Sequence, residues 1–338
     1  VNNSFGSSLI ADGVMYLAGS LDTGHLRLST VGNLMTLQWQ NILFKSLMLD
    51  ADITKDTIVL NNFSSATAEG GILTASGTKK GDALAFDAMV AKLPIDAFMS
   101  YLGQTGKGLL SGAFKVSGTE DSPNVSGKFS LENGEIFGQE INEAHGFAGW
   151  ENHVLSFKRV EAYMKQGSHK VGGTVNMQAD EPVFDLQVDT ENVRIEPLAA
   201  FAGSPFPITG NLTNNMRISG PMSNPRIRGK VHAWYGSVHG FLVDDVKGDY
   251  SLAGGTLALQ NFYIHTLTSS VKMDGTMDAR GNLDFGIEAK DVHLARIPLI
   301  NEYAEFDGAF DFSGSVKGTK HNPLFNGVVT SNSISVNK

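Results

Sequence analysis

The sequence predicts an all-β protein: a twisted antiparallel sheet built from repeats of about 100 residues, with few short helices, whose apolar face can close as a barrel, pair into a sandwich or fold lengthwise into a trough, the repetition favouring an elongated form over one closed barrel. Three observations predict it. Apolar residues recur with a period of 2 along most of the chain, the spacing that gives a strand one greasy face and one wet face. Glycine reaches 38 of 338 residues with no collagen triplet and no Gly/Ser tract, and turn chemistry sits between the alternating runs. The same punctuation then returns three times along the chain.

Taken in order, strand patterns occur at Leu26–Leu28, Leu37–Trp39 and Leu47–Leu49. The next is Leu84, Phe86, Ala88 and Val90, with Asp87 and Met89 between them. Phe114–Val116 and Phe129–Leu131 follow, then Phe184, Leu186 and Val188 against Asp185, Gln187 and Asp189. The last are Leu257–Leu259, then Leu283, Phe285, Ile287 and Ala289, then Phe310–Phe312. Linking segments such as ENGE, ARGN, GTED, GPMSNP and GTKHNP supply positive φ, side-chain-to-backbone bonds and fixed proline φ, as hairpins need. On this reading the glycines are hairpin and bulge residues in a meander of roughly 25 to 30 short strands. Helix is expected only in the short patches after Pro94, Pro197 and Pro298, with Leu93–Leu102 the best of them.

The repeat is explicit. Gly108–Gly127, Gly210–Gly229 and Gly308–Gly327 each read G-x9-G-x4-P-x3-G. Its structural turn residues are therefore Gly108, Gly118, Pro123 and Gly127; Gly210, Gly220, Pro225 and Gly229; and Gly308, Gly318, Pro323 and Gly327. Gly-Thr pairs at Gly77, Gly173 and Gly275 each close a strand, and each precedes an alternating segment centred on Phe86, Phe184 and Phe285. The organisation expected is residues 1–107 as a first, divergent or truncated unit, 108–209 as a second, 210–307 as a third, and 308–338 as the start of another.

Chemistry is poorly represented. Absence of cysteine excludes disulfides, thiol catalysis and cysteine zinc sites. A net charge of −9 without a basic run argues against nucleic acid as a partner. No hydrolase elbow, zincin motif, Walker loop or dinucleotide fingerprint is present, and Gly103–Gly108 has the wrong spacing for a phosphate loop. The nine histidines are scattered, with His232 and His239 straddling a hairpin and His145, His153 and His169 in one unit. Asp244–Asp245 is an acidic pair in a turn-like stretch. No catalytic residue, metal ligand or cofactor is expected, and no stretch is long and apolar enough for a transmembrane helix.

The glycine–proline pattern, followed by a hairpin with Gly134-Glu135-Ile136 or Gly236-Ser237-Val238, resembles the TamB and AsmA-like envelope proteins over most of the chain. The third copy departs from it, with Ile334 where the later glycine belongs. The resemblance implies a taco-like sheet with an apolar groove, and a bridge that carries phospholipid across the periplasm of diderm bacteria. It also implies an inner-membrane anchor outside this fragment and an outer-membrane β-barrel partner. The groove candidates are Leu84, Phe86, Val90, Phe129, Leu131, Phe184, Leu186, Val188, Leu257, Leu259, Leu283, Phe285 and Ile287. A dry core between facing sheets wants the same residue types as a lipid groove, so composition leaves both open. Two other functions remain at this stage: a module that aids outer-membrane barrel and autotransporter assembly by offering a sheet edge, and an adhesin-like structural repeat.

Overall fold

The computed structural model describes residues 9–12, 17–22, 24–32, 36–39, 42–96, 99, 105–136, 139–178, 180–201, 207–238, 240–296 and 305–337. The chain forms two compact units, Val1–Lys165 with Asn176–Gln178, and Gln166–Val175 with Ala179–Lys338. The first holds β1 (Leu9–Asp12), β2 (Leu17–Asp22), β3 (His25–Gly32), β4 (Thr36–Trp39), β5 (Ile42–Thr54), β6 (Thr57–Thr67), β7 (Ile72–Lys80), β8 (Ala83–Pro94), β9 (Gly106–Thr119), β10 (Pro123–Ile136), β11 (Gln139–Glu151) and β12 (Val154–Tyr163). The second holds β13 (Ser168–Asn176), β14 (Val183–Arg194), helix α1 (Ile195–Phe201), β15 (Ile208–Pro221), β16 (Arg226–Val238), β17 (Phe241–Ala253), β18 (Thr256–His265), β19 (Ser270–Met277), β20 (Asn282–His293), β21 (Glu305–Thr319), β22 (Asn322–Thr330) and β23 (Ile334–Asn337).

Each unit is all-β and antiparallel. In the first, β5 to β12 pair each with the next, while β3 and β4 share the other side of β5. In the second, β14 to β22 pair in sequence and β23 lies beside the start of β21. Among the described residues no ladder joins the first strands of a unit to its last, so each sheet is open and not a barrel.

The strands are fewer and longer than the alternation suggested: 23 among the described residues, many of 12 to 15 residues. The cause is a repeated β-bulge that hides their continuity. Register shifts fall between Val90 and Leu93, Thr190 and Val193, and Ala289 and Val292. In each, a non-glycine residue takes positive φ: Lys92 at 51°, Asn192 at 51° and Asp291 at 52°. The extra residue breaks the two-residue period once and returns the next apolar side chain to the same face. Each bulge amide donates to a side chain on the following strand: Lys92 to Ser111 Oγ at 3.0 Å, Asn192 to Thr213 Oγ1 at 3.1 Å, and Asp291 to Asp311 Oδ1 at 2.8 Å. Those three acceptors stand three residues after Gly108, Gly210 and Gly308.

The bulges also correct the alignment of the middle copy. Phe86 faces Gly77 and Phe285 faces Gly275, but Phe184 faces Gly220; the residue against Gly173 is Leu186. The connection between β13 and β14 is longer than its counterparts, Gly81–Asp82 and Asp278–Gly281, and this shifts the phenylalanine off its expected place.

Among the described residues helix is found at α1, which begins two residues before Pro197, at a 3-10 turn over Leu294–Arg296, and at Asp96 and Met99. Of Leu93–Leu102, Leu93 and Pro94 belong to β8, because strand pairing continues through Pro94. Helical geometry begins beyond it, with Met99 N donating to Ile95 O at 2.8 Å, and the remainder lies outside the described residues. The patch at Pro298 lies outside them too. Ile95 is buried against Leu131 and Ala144, with Met99, Leu110, Ile141 and Ala162 around them, so the segment caps one end of the apolar face.

Candidate functional site

Cross-strand partners point to the same side of a sheet, so the ladders assemble the apolar face row by row. In the first unit one row runs Phe86, Val116, Val125, Trp150 and Leu155, and another runs Val90, Gly112 and Phe129. In the second, Leu186, Ile218, Ile227, Leu252, Leu257, Met277 and Leu283 lie in one row. Its neighbour runs Val188, Met216, Gly229, Tyr250, Leu259, Gly275, Phe285 and Val316.

The groove candidates all fall on these faces: Leu84, Phe86, Val90, Phe129 and Leu131 in the first unit, and Phe184, Leu186, Val188, Leu257, Leu259, Leu283, Phe285 and Ile287 in the second. Most are half-buried. Leu131 at 5% and Phe285 at 8% exposure are fully buried.

The glycines have a role that turn chemistry does not explain. Gly118, Gly220 and Gly318, at φ near 90°, and the three prolines do stand at the hairpins. Gly108, Gly210 and Gly308 lie inside strands, and so do Gly127, Gly229 and Gly327. A side chain at Gly127 would come within 2.6 Å of the Phe114 ring, one at Gly77 within 2.8 Å of Phe86, and one at Gly275 within 2.8 Å of Phe285. These glycines lie on the apolar face, and aromatic rings on the adjacent strand occupy the space beside them. A ring filling the space that a glycine leaves gives a low-relief surface.

The opposite face is polar. Arg217 meets Asp185 at 2.8 Å. His232 Nε2 lies 2.7 Å and Lys247 Nζ 2.8 Å from Asp245. Burial pushes the Asp245 carboxyl up, but the hydrogen bonds from Lys247 and His232 outweigh it and hold the group below its ordinary value. Asp244 and Asp245 are successive strand residues and point to opposite faces, which separates the two carboxylates. His145 stacks on Tyr163, and His239 lies outside the described residues. Among the described residues no group of three or more His, Asp and Glu could hold a metal ion, and no helix is long and apolar enough to cross a membrane.

Sequence reasoning missed one cluster on the apolar face of the second unit. His169 Nδ1 lies 2.9 Å from Thr190 Oγ1, and Thr190 is cross-strand partner to Asn214. The Tyr250 hydroxyl crosses Gly229 and sits 3.0 and 3.1 Å from the two amide atoms of Asn214. Burial pushes the His169 pKa down from 6.5 and the Tyr250 pKa up from 10.0, so both are neutral at pH 7. The available signal was a histidine four residues before Gly173, where Leu73 and Val271 precede Gly77 and Gly275.

Neither the comparison with characterised proteins nor that with solved structures returned a match. The family model of the TamB C-terminal domain matches residues 61–264, more than half of the chain. Repeated open antiparallel ladders, an apolar face filled by aromatics beside glycine, and that match agree: the chain belongs to the TamB C-terminal domain family.

Proposed function

We propose that this chain is a segment of an intermembrane phospholipid bridge, whose apolar strand faces hold acyl chains in transit through the periplasm. Membership in the family carries a cell-envelope role in transport or assembly, of a non-enzymatic kind. The observation behind the finer reading is the state of the apolar face. Phe86, Val90, Phe129, Leu186 and Ile287 are half-buried; full burial is patchy, at Ile95, Leu131, Ala144 and Leu294 near the end caps and at Phe285, Ala289 and Val316 within the rows. A dry core between facing sheets would bury these rows throughout. An acyl chain laid along them gains about 0.8 kcal/mol per buried CH₂. The low relief of rings set beside glycines offers no deep well to halt it. Placement in a diderm envelope, an inner-membrane anchor outside this fragment and a β-barrel partner in the outer membrane belong to the same proposal.

Photo-crosslinking tests it. Probes at Leu186 and Ile287 capture phospholipid, whereas probes at Gln187 and Glu288, on the opposite face, do not; equal labelling of both sets, or none, rejects the groove. Aspartate at Phe86, Leu186 or Phe285 adds a desolvation barrier of several kcal/mol to passage of a chain. Lipid flux is expected to fall by at least about tenfold in each variant, and wild-type flux in all three rejects the track.

A further inference from the structure

We infer that His169, Thr190, Asn214 and Tyr250 form a polar subsite on the apolar face, one that takes the uncharged ester and hydroxyl region of an acylated lipid. The inference rests on the acyl-track reading above and adds a defined stop to it.

The repeat itself carries the argument. Ladder register gives each of the four residues a counterpart. In the first copy Leu73, Val90 and Gly112 are successive cross-strand partners, and Ala148 pairs with Gly127 as Tyr250 pairs with Gly229. In the third copy Val271, Ala289 and Phe312 are successive partners in the same way. All of these are apolar or glycine. Only in the second copy are the positions filled by histidine, threonine, asparagine and tyrosine, on three adjacent strands together with the ring that reaches back to them. The same bulge and the same hairpin succession form around apolar residues in the other two copies. The fold therefore does not require polar groups here, and placing them on a greasy face carries a desolvation cost.

The chemistry of the cluster selects its ligand. It is built from neutral donors and acceptors: a hydroxyl on Thr190, a phenol on Tyr250, an amide on Asn214 and an imidazole on His169. Thr190 is only 5% exposed. The flanking residues on the face are Val188, Met216 and Val231. With no cation among its members, the cluster suits carbonyl and hydroxyl oxygens better than a phosphate. Rows of aliphatic and aromatic side chains run from it across β16 to β20, which gives acyl tails a surface next to their ester ends.

The test uses a benzophenone probe at Val231, the cross-strand partner of Asn214, and another at Phe129, the partner of Gly112 at the matching place in the first copy. Each variant of the chain is presented with ester-linked diacyl phosphatidylglycerol or its ether-linked dialkyl counterpart, which lacks the carbonyls. Capture at Val231 is expected to favour the ester lipid by about fivefold, the range of one or two hydrogen bonds, and capture at Phe129 to be equal for the two. Tyr250→Phe, which removes only the hydroxyl, lowers the Val231 preference. His169→Leu with Thr190→Val, the residues of the first copy, abolishes it. Equal capture of both lipids at Val231, or a preference that survives these substitutions, overturns the subsite and leaves the acyl track standing. Absence of capture at both probes overturns the track and the subsite together.

Discussion

A glycine in the middle of a strand ordinarily weakens it, through lost entropy and missing packing. Here Gly127 and its relatives are required by what lies beside them. A methyl group at Gly127 would overlap the Ala113 carbonyl and come within 2.6 Å of the Phe114 ring, whereas one at Gly286 finds only Asp274 O, at 3.8 Å. Gly127→Ala is therefore expected to lower stability by about 1–3 kcal/mol, and Gly286→Ala to leave it unchanged or raise it slightly. Urea midpoints of the two variants check this contrast. His169 gives a second prediction at the same scale. Because burial lowers its pKa, the unfolded chain takes up the proton first as pH falls through about 6.5. Stability from this group is complete above that value and is lost as pH drops toward the lowered folded value. Wild type should then lose stability relative to His169→Gln as pH falls through about 6.5. A pH-independent difference between the two proteins would mean that His169 ionises equally in both states.

Among the elements, the repeated bulge is the most informative. Asn192 holds positive φ in the second copy, with its amide on Thr213. A β-branched residue there meets steric strain. Asn192→Val should cost about 1–3 kcal/mol and Asn192→Gly almost nothing. Thr213→Val, which removes the acceptor, should cost about 1 kcal/mol or less at this exposed site. Thermal melts rank the three, and an unaffected Asn192→Val would show that the bulge relaxes. The same device explains which parts of the fold were legible. Alternation at Phe86, Leu186 and Phe285 revealed strands, their faces and the antiparallel class directly. It could not reveal that Val90 and Leu93 share a face, because they stand three positions apart and only a bulge reconciles that spacing with a period of 2. Nor could it place Phe184, since the length of the β13–β14 connection decides which side chain meets Gly173. The apolar face was legible because one-sided greasiness is written residue by residue. The His169 cluster was not, because its members are 21, 24 and 36 residues apart in sequence and are joined only by register.

At the scale of the whole molecule, the repeat proved to carry two kinds of information. Its glycines and prolines specify turns and low relief alike, and they recur without reference to any ligand. Departures from it mark where one copy differs from the others, and the polar subsite came to light in that way. Exposed ion pairs such as Arg217–Asp185 contribute little to stability, so cohesion rests on the ladders and the apolar rows.

The pairing order has a mechanical corollary. Among the described residues, from β6 to β12 and again from β14 to β20, the ladders run from each strand to the next in sequence, and branching is confined to β5, which also carries β3, and to β21, which also carries β23. Tension applied to the two ends of such a run loads its hydrogen bonds one rung at a time, as in opening a zipper, and not as a whole ladder in shear. Hairpins should yield singly under modest force and re-form from any neighbour still in place. A run of hairpins joined in this order can lengthen under load by a few hairpins and recover, without losing the rest of its fold.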